Sequence, residues 1–396
     1  MANRDHRGLP CSPSSWGHFK ASNAGLSPLW TSSDHRQGQT LIAGWTDDES
    51  GLITQNLPVV VFGDHTRVFK FVDFPFVRGA DGTQVLKPKP GTNPLFFYYA
   101  LRAVDLPSRG YNRHFKALKE KRISLPTESE QSDIARALKL VEDALSLQDK
   151  ELKVSALCKR AAMQTLFTRG LRSEVQKETE IGRVPQSWKV ATLGEVASLE
   201  RGRFLDRPRN EPRFYGGKTP FVQTGDVVRS RGRIREFTQT LNDDGVAISR
   251  VFPAGTILIT IAANIGFTGI LQFNSACPDS LIAITPRCHL TAEFLEYWLQ
   301  TQQDEMDRLA PKGTQKNINI QFLSPWLVVI PGPEEQGEIV AVLDVIGRKI
   351  ELHERKRAVL EDLFQALLHK LITGEIRVGD LDLSALAPLD EAEAAA

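Results

Sequence analysis

No two of the four cysteines, Cys11, Cys158, Cys277 and Cys288, stand in Cys-x-x-Cys spacing, so neither a metal site nor a disulfide framework is indicated. Cys158 falls inside a helical repeat, where a small buried thiol is the expectation. A charge excess is also missing: 49 Lys and Arg stand against 48 Asp and Glu, a net charge of +1, and the total alone announces no nucleic-acid partner. The uncharged run 251–278 is broken every few residues by Pro253, Gly255, Asn264, Gly266, Gly269 and Asn274, which suits short buried strands and turns and not a membrane span. The first residues are polar and lack the apolar segment of a signal peptide, so a cytoplasmic protein is expected.

Catalytic signatures are absent as well. There is no GxxxxGK(S/T) phosphate loop, no GxGxxG after a strand, no HExxH and no GxSxG elbow. Asn93-Pro-Leu-Phe96 shares part of the Asn-Pro-Pro-Tyr/Phe signature of adenine methyltransferases, but Leu95 replaces the second proline and no cofactor loop precedes it. Asp64 and His65 offer acid and base, yet adjacent residues on a strand point apart, and a turn holding a structural Asp–His pair or a DNA-facing loop is the expectation. No catalytic residue, metal ligand or cofactor is expected.

What is present is a duplicated helix. Ile134, Leu138, Val141, Leu145 and Leu152 in one copy, and Ile339, Leu343, Ile346, Ile350, Leu360, Phe364, Leu367 and Leu371 in the other, alternate by four and three as a coiled-coil seam does. A shift of 205 positions superposes Pro126 on Pro331, Glu130-Gln131 on Glu335-Gln336, Ile134 on Ile339 and Thr168 on Thr373 without a slip. Polar residues interrupt both seams, Gln148 and Ser155 in the first and His353 and Arg357 in the second, a device that fixes register. The two helices are therefore expected to pair with each other.

With 396 residues the chain has room for two domains and a scaffold. Residues 1–40 lack periodicity and read as loop. Runs 57–62, 68–72 and 83–86 read as strands, 94–104 as a short aromatic-faced helix, 109–114 as a polar loop and 122–126 as a last strand before the first long helix, capped by Thr127 or Ser129. After a polar linker, 256–261 and 280–284 read as strands, 291–309 as a helix, 313–319 as a polar loop and 326–331 as the strand entering the second long helix. The order strand, short helix, polar loop, strand-Pro and long helix occurs twice, so the duplication extends to the globular parts.

The polar loops are candidates for binding. Arg109, Tyr111, Asn112, Arg113 and His114 correspond in position to Lys312, Thr314, Gln315, Lys316 and Asn317, and these side-chain types bond base edges and phosphates. Between Arg201 and Arg235 ten Lys or Arg face three acids, and arginine predominates: Arg201, Arg203, Arg207, Arg209, Arg213, Arg229, Arg231, Arg233 and Arg235. That favours bidentate phosphate or guanine contacts. Beyond Val378 the tail carries five acids and no base.

Together these pieces resemble the specificity subunit of type I restriction-modification systems. The resemblance rests on Phe62-Gly-Asp-His-Thr-Arg67, Val72-Asp-Phe-Pro-Phe76 and Gly79-Ala-Asp-Gly82 in the first half, and on Leu193-Gly-Glu195, Arg201-Gly202, Pro220-Phe-Val-Gln-Thr-Gly-Asp226 and Ile330-Pro-x-Pro-x-Glu-Gln336 in the second. It implies an α+β fold with two target recognition domains of mixed β structure, at residues 1–126 and 188–331. Each is followed by a long helix, at 127–170 and 332–375, the two pairing as an antiparallel coiled coil in a pseudo-twofold duplication, with a linker at 171–187 and an acidic tail at 376–396. The first domain lacks the opening that Trp188 and Leu193-Gly-Glu195 give the second, so its start departs from the family pattern. The function implied is non-catalytic recognition of a bipartite double-stranded DNA site, with docking of two methyltransferase subunits and, in the full complex, restriction subunits. The DNA-binding candidates are Arg109, Tyr111, Asn112, Arg113, His114, Arg201, Arg203, Gln223, Thr314, Gln315, Lys316 and Asn317. The rival readings are a self-contained DNA methyltransferase or nuclease, which needs a cofactor loop or acid cluster not visible here, and a coiled-coil adaptor, which would not need arginine-rich loops in duplicated domains.

Overall fold

The computed structural model describes residues 27–30, 41–42, 44–46, 50–78, 82–107, 113–204, 211–287, 289–311 and 316–386. Helices and strands are mixed. The helices are α1 (Pro94–Arg102), α2 (Phe115–Lys119), α3 (Glu128–Arg169), α4 (Leu193–Val196), α5 (Thr224–Arg229), α6 (Asp243–Ala247), α7 (Ala292–Leu309), α8 (Ile320–Leu323) and α9 (Pro333–Thr373). Among the described residues no helix is long and apolar enough to cross a membrane. Contacts divide the chain into two units, residues 1–146 with 358–396, and residues 147–357.

The first unit holds two sheets. Gly44–Thr46, Ser27–Trp30, Phe76–Arg78 and Leu52–Ile53 form one, in that order; Phe69–Val72, Val59–Gly63 and Thr83–Leu86 form the other, antiparallel throughout. Val59–Phe62 is apolar at every position because both faces are covered: Val59 and Val61 pack with Val72 and Phe76, while Val60 and Phe62 pack with Leu101, Leu106 and Leu118. Helix α1 starts on Pro94, and the Asn93 carboxamide accepts from the N–H groups of Leu95 and Phe96, both at 3.0 Å. Its apolar face, Phe96, Tyr99 and Ala100, packs with Ile134, Leu138 and Val141 of α3 and with Phe364, Leu367 and Leu371 of α9. Gln131, buried at the start of α3, ties this together: its Oε1 accepts from Asn93 N at 2.8 Å and its Nε2 donates to Pro126 O at 2.9 Å. The stretch 122–126, expected as a strand, pairs with none. It is an extended lead into α3, with Ile123 packed on the long-helix core and Leu125 exposed.

The second unit is built on a five-stranded sheet, in the order Ala197–Arg201, Leu281–Pro286, Ile257–Thr260, Thr268–Leu271 and Gly232–Ile234. Only the last pairing is parallel. A smaller sheet runs Gln239–Leu241, Tyr215–Phe221, Ser275–Ala276 and Val251–Phe252, and Lys189–Thr192 pairs with Leu327–Ile330. Helix α7 lays Phe294, Leu295, Trp298 and Leu299 into a core that also takes Ile257, Ile259, Ile282 and Ile284 from the sheet, Met163 and Phe167 from α3, and Ile339 and Leu343 from α9. The region expected as a plain polar linker contains a hairpin, Gln176–Thr179 with Gly182–Pro185, held by backbone pairing, with Gln176, Glu178 and Arg183 exposed and Val184 and Pro185 buried.

The start of α9 repeats the arrangement seen at Gln131. Gln336 is fully buried; its Oε1 accepts from Thr291 N at 3.1 Å and its Nε2 donates to His289 O and Pro331 O, both at 3.0 Å. Thr291 caps α7 as Asn93 caps α1. Beside it, Glu335 accepts from Trp188 Nε1 at 2.9 Å and from Leu171 N at 2.7 Å. Helix α3 ends there on Gly170 in the left-handed region, where an added Cβ would lie 2.7 Å from Glu335 Oε1. Three of the four polar residues that interrupt the apolar repeats find side-chain partners: Gln148 Oε1 lies 2.8 Å from His353 Nδ1, and Arg357 Nε donates to Asp149 Oδ1 at 2.6 Å. Cys158, expected as a buried thiol, is exposed, because it sits one position before Lys159 and off the face that carries Ser155 and Met163.

Candidate nucleic-acid interface

The arginine-rich stretch is the place where charge and geometry part company. Strand Gly232–Ile234 alternates its side chains, so Arg231, Arg233 and Arg235 share one side. That side meets the acidic face of α9. Arg231 pairs with Glu354, Arg235 Nη1 with Glu351 at 2.9 Å, and Arg233 with Asp344 at 3.4 Å and Glu296 at 3.3 Å. Arg229 pairs with buried Asp226 at 2.6 Å, and Arg213 lies 4.4 Å from the Phe214 ring centre. Arg231, Arg233 and Arg235 thus fasten the domain to its helix, whereas their sequence pattern pointed to phosphate or guanine contacts. Arg207 and Arg209 lie outside the described residues.

Glu296 is what the sequence reading missed. It is fully buried on α7 between Leu295 and Tyr297, and it accepts from Thr268 Oγ1 at 3.0 Å and Gln300 Nε2 at 2.6 Å as well as from Arg233. Burial pushes its carboxyl above the usual range, and the Gln300, Arg233 and Thr268 contacts oppose that shift. Burial likewise lowers the Lys159 ammonium, which sits 5.0 Å from the Tyr297 ring centre, while the Tyr297 hydroxyl donates to Asp344 at 2.6 Å. An acid inside the otherwise apolar face Phe294-Leu-Glu-Tyr-Trp-Leu299 was the available signal. The cluster opens into a cleft of about 1240 Å³ between α3, α7 and α9, with Met163, Phe167 and Trp298 in its wall.

The remaining candidates lie on other faces. Arg201 and Arg203 are exposed; the first donates to Asp279 O at 2.6 Å and the second to Ser249 O at 3.0 Å, each through one of a guanidinium's five N–H groups. Gln223 opens α5, with its backbone N–H on Asp226 Oδ2 and its amide donating to Gln239 Oε1 at 3.0 Å. Lys316 pairs with Asp307 at 2.8 Å, and exposed Asn317 bridges to Ala262. In the first unit Arg113 is exposed. His114 corrects its expectation: it is buried, its Nδ1 lies 2.9 Å from Asp64 O, and its N–H and that of Phe115 both donate to Asp64 Oδ1 at 2.6 Å. Asp64 thus caps α2 and holds His114, whose side chain is buried and not displayed on a polar loop. Arg109, Tyr111, Asn112, Thr314 and Gln315 lie outside the described residues.

Residues 185–362 match the family described as the type I restriction modification DNA specificity domain. Among similar proteins, the putative MjaX specificity subunit of a type I restriction enzyme from Methanocaldococcus jannaschii is 26% identical over 290 residues, covering 72% of this chain and 65% of that one. The MjaIX and MjaVIII specificity subunits of the same organism are covered over 47% and 63% of their lengths, so the chain spans under two thirds of these relatives. The EcoR124I/EcoR124II specificity subunit of Escherichia coli is 22% identical over 359 residues, covering 82% of this chain and 84% of that one. A solved type I restriction-modification S subunit from M. genitalium superposes with a TM-score of 0.57 at 16% identity, covering 89% of this chain and 91% of that one. A chain from a study of complex assembly and conformational transition of the type I system superposes with a TM-score of 0.56 at 20% identity, covering 89% and 92%. At these identities the superpositions speak for the fold alone.

Proposed function

We propose, from the chain's similarity to the specificity subunits of type I restriction-modification systems, that it recognises a bipartite double-stranded DNA site and carries no catalysis of its own. Residues 1–126 and 188–331 act as two target recognition domains, each reading one half-site. The helices at 127–170 and 332–375 pair antiparallel as the scaffold of an internal duplication.

The observation that carries this reading is the paired glutamine clamp. Gln131 and Gln336, one repeat length apart, each join the cap of an aromatic-faced helix to the proline that precedes a long helix. Two unrelated domains would not share so particular a joint. The Gln148–His353 contact adds support, because the two residues are separated by 205 positions, the period of the repeat, so a position meets its own counterpart. Arg113 and Asn317, with the exposed Arg201 and Arg203, supply donors suited to phosphates and base edges.

Docking of two methyltransferase subunits has its own support. A second apolar stripe runs along each long helix: Leu140, Leu147, Val154 and Ala161 on α3, and Val345, Leu352, Val359 and Ala366 on α9. The spacing is heptad and the two sets are related by the same repeat. Leu147 and Val154 are 53% and 62% exposed, Leu352 and Val359 65% and 66%, so the stripe is a seam in water. Such a stripe fits an apolar helix from a partner, once per repeat. Restriction subunits join through the larger assembly.

The test is methylation of a library of random duplexes by the purified chain, by a cognate methyltransferase subunit, and by the two together. Adenine methylation at one split motif is expected only from the mixture. Lys316→Ala or Asn317→Ala should alter one half-site and Arg113→Ala the other. Methyl transfer by the single chain, or a mixture without sequence preference, would refute the reading.

A further inference from the structure

The loop that carries Lys316 and Asn317 does not stand alone. Asn317 forms an antiparallel bridge with Ala262, and Ile318 N donates to Ile261 O at 3.0 Å, so the turn following Ile261 lies against this loop. The turn is held from several directions. Gly266 N donates to Thr260 O at 2.9 Å, Phe267 N to Thr260 Oγ1 at 3.0 Å, and Gln303 Nε2 of α7 to Ile265 O at 3.3 Å; the Thr260 hydroxyl also bonds the Asn264 carbonyl. Gly266 takes a φ of +82° and leaves an added Cβ only 3.1 Å from Gln303, so this corner is closed to other residues.

Within the turn Ala263 has a φ of 62°, a left-handed conformation that a Cβ disfavours and that glycine or asparagine normally occupies. A residue kept there at a cost, on a rigid and exposed turn, is the kind of local strain that collects at binding sites. Asn264 follows it. Asn264 is exposed, its backbone N–H and C=O are used inside the turn, and among the described residues its side-chain amide makes no hydrogen bond. A fixed backbone thus presents an unspent carboxamide next to the loop of Asn317.

We propose that Asn264 is a specificity-determining residue of the second recognition domain, its carboxamide bonding an adenine edge in the major groove beside the contacts of Lys316 and Asn317. Asparagine matches the N6 donor and N7 acceptor of adenine with two hydrogen bonds. The turn fixes the Asn264 backbone and so the point from which the carboxamide reaches out, and no loop has to be ordered on binding. The inference rests on the DNA-recognition reading and deepens it.

The test selects binding sites from a duplex library with the full chain, alone and with a cognate methyltransferase subunit, comparing the parent with Asn264→Ala and Asn264→Asp. Both variants should lose discrimination about tenfold or more at one adenine of one half-site, with the other half-site and the salt slope unchanged. Asn264→Asp keeps the shape of the turn and should move the preference at that position toward cytosine, whose N4 donates to a carboxylate. Thermal unfolding of each variant, expected to match the parent, separates this from loss of fold. Unchanged specificity in a folded Asn264→Asp, or weakening that is uniform across sequences with a lower salt slope, would overturn the assignment. A parent chain that selects no split motif would instead overturn the recognition reading itself.

Discussion

Replacing Gln336 by alanine removes three hydrogen bonds at one stroke and strands Thr291 N, His289 O and Pro331 O beside a side chain that no longer reaches them. A buried backbone group left without a partner costs about 1–3 kcal/mol. Pro331 is buried whereas Thr291 and His289 are exposed, so the full cost falls on Pro331 O and only part of it on the other two; with the space vacated by the side chain the loss is roughly 2–4 kcal/mol. For a unit of this size each kcal/mol moves Tm by about 2–4 °C, so a fall on the order of 10 °C is expected. With two units in the chain a single global transition is the wrong readout. Trp188 provides a local one, since its buried indole bonds Glu335, the neighbour of Gln336. Its fluorescence during heating should report the early loss. Gln131→Ala should cost somewhat less, because its third contact, to Gly91 O, is 3.4 Å long. A Gln336→Ala protein within about 1 kcal/mol of the parent would refute the clamp as a structural joint.

The arginines offer a contrast. Arg233→Ala leaves Glu296 buried without its cation and should cost about 3–5 kcal/mol, whereas Arg235→Ala breaks a half-exposed pair worth at most about 1 kcal/mol; equal losses in denaturant titrations would contradict this. The Glu296 carboxyl is held above its ordinary range when folded, so the folded state keeps a proton that the unfolded chain gives up. Its contribution is therefore full at low pH and is lost as pH rises from the ordinary value of 4.5 through the raised one; Glu296→Gln should flatten that decline, and parallel Tm–pH curves would rule it out. On the outer stripe, Leu147→Glu and Leu352→Glu should change stability by no more than about 0.5 kcal/mol yet weaken capture of the methyltransferase subunit in calorimetry, and intact capture would discard the stripe as the docking seam.

Long apolar patterns made much of the architecture legible in advance. Val59–Phe62 and Leu327–Ile330 are continuous runs whose side chains have a core to enter, and α3 and α9 carry their heptads at the positions read from the sequence. The hairpin at 176–185 was not legible because its side chains are mostly polar and its stability comes from backbone pairing that no residue pattern encodes. Stretch 122–126 misled in the opposite sense, since Ile123 packs, partly buried, against helices and not within a sheet. At the candidate site the sequence counted charges correctly but could not see that Asp344, Glu351 and Glu354, more than a hundred positions downstream, neutralise Arg231, Arg233 and Arg235. His114 read as a ligand for the same reason: its type is suited to DNA, while its burial is decided by Asp64, fifty positions upstream.

The contact between Gln148 and His353 also bears on how such a chain can arise. In two identical repeats facing each other, a position that meets its counterpart must be satisfied by a copy of itself. A carboxamide meets that demand because it both donates and accepts, and so does a neutral imidazole. Here the pair is mixed, with the Gln148 oxygen 2.8 Å from the His353 Nδ1. If the chain is the internal duplication proposed above, two copies of either half would meet there as glutamine on glutamine or histidine on histidine, and either pair could still bond and let the helices close.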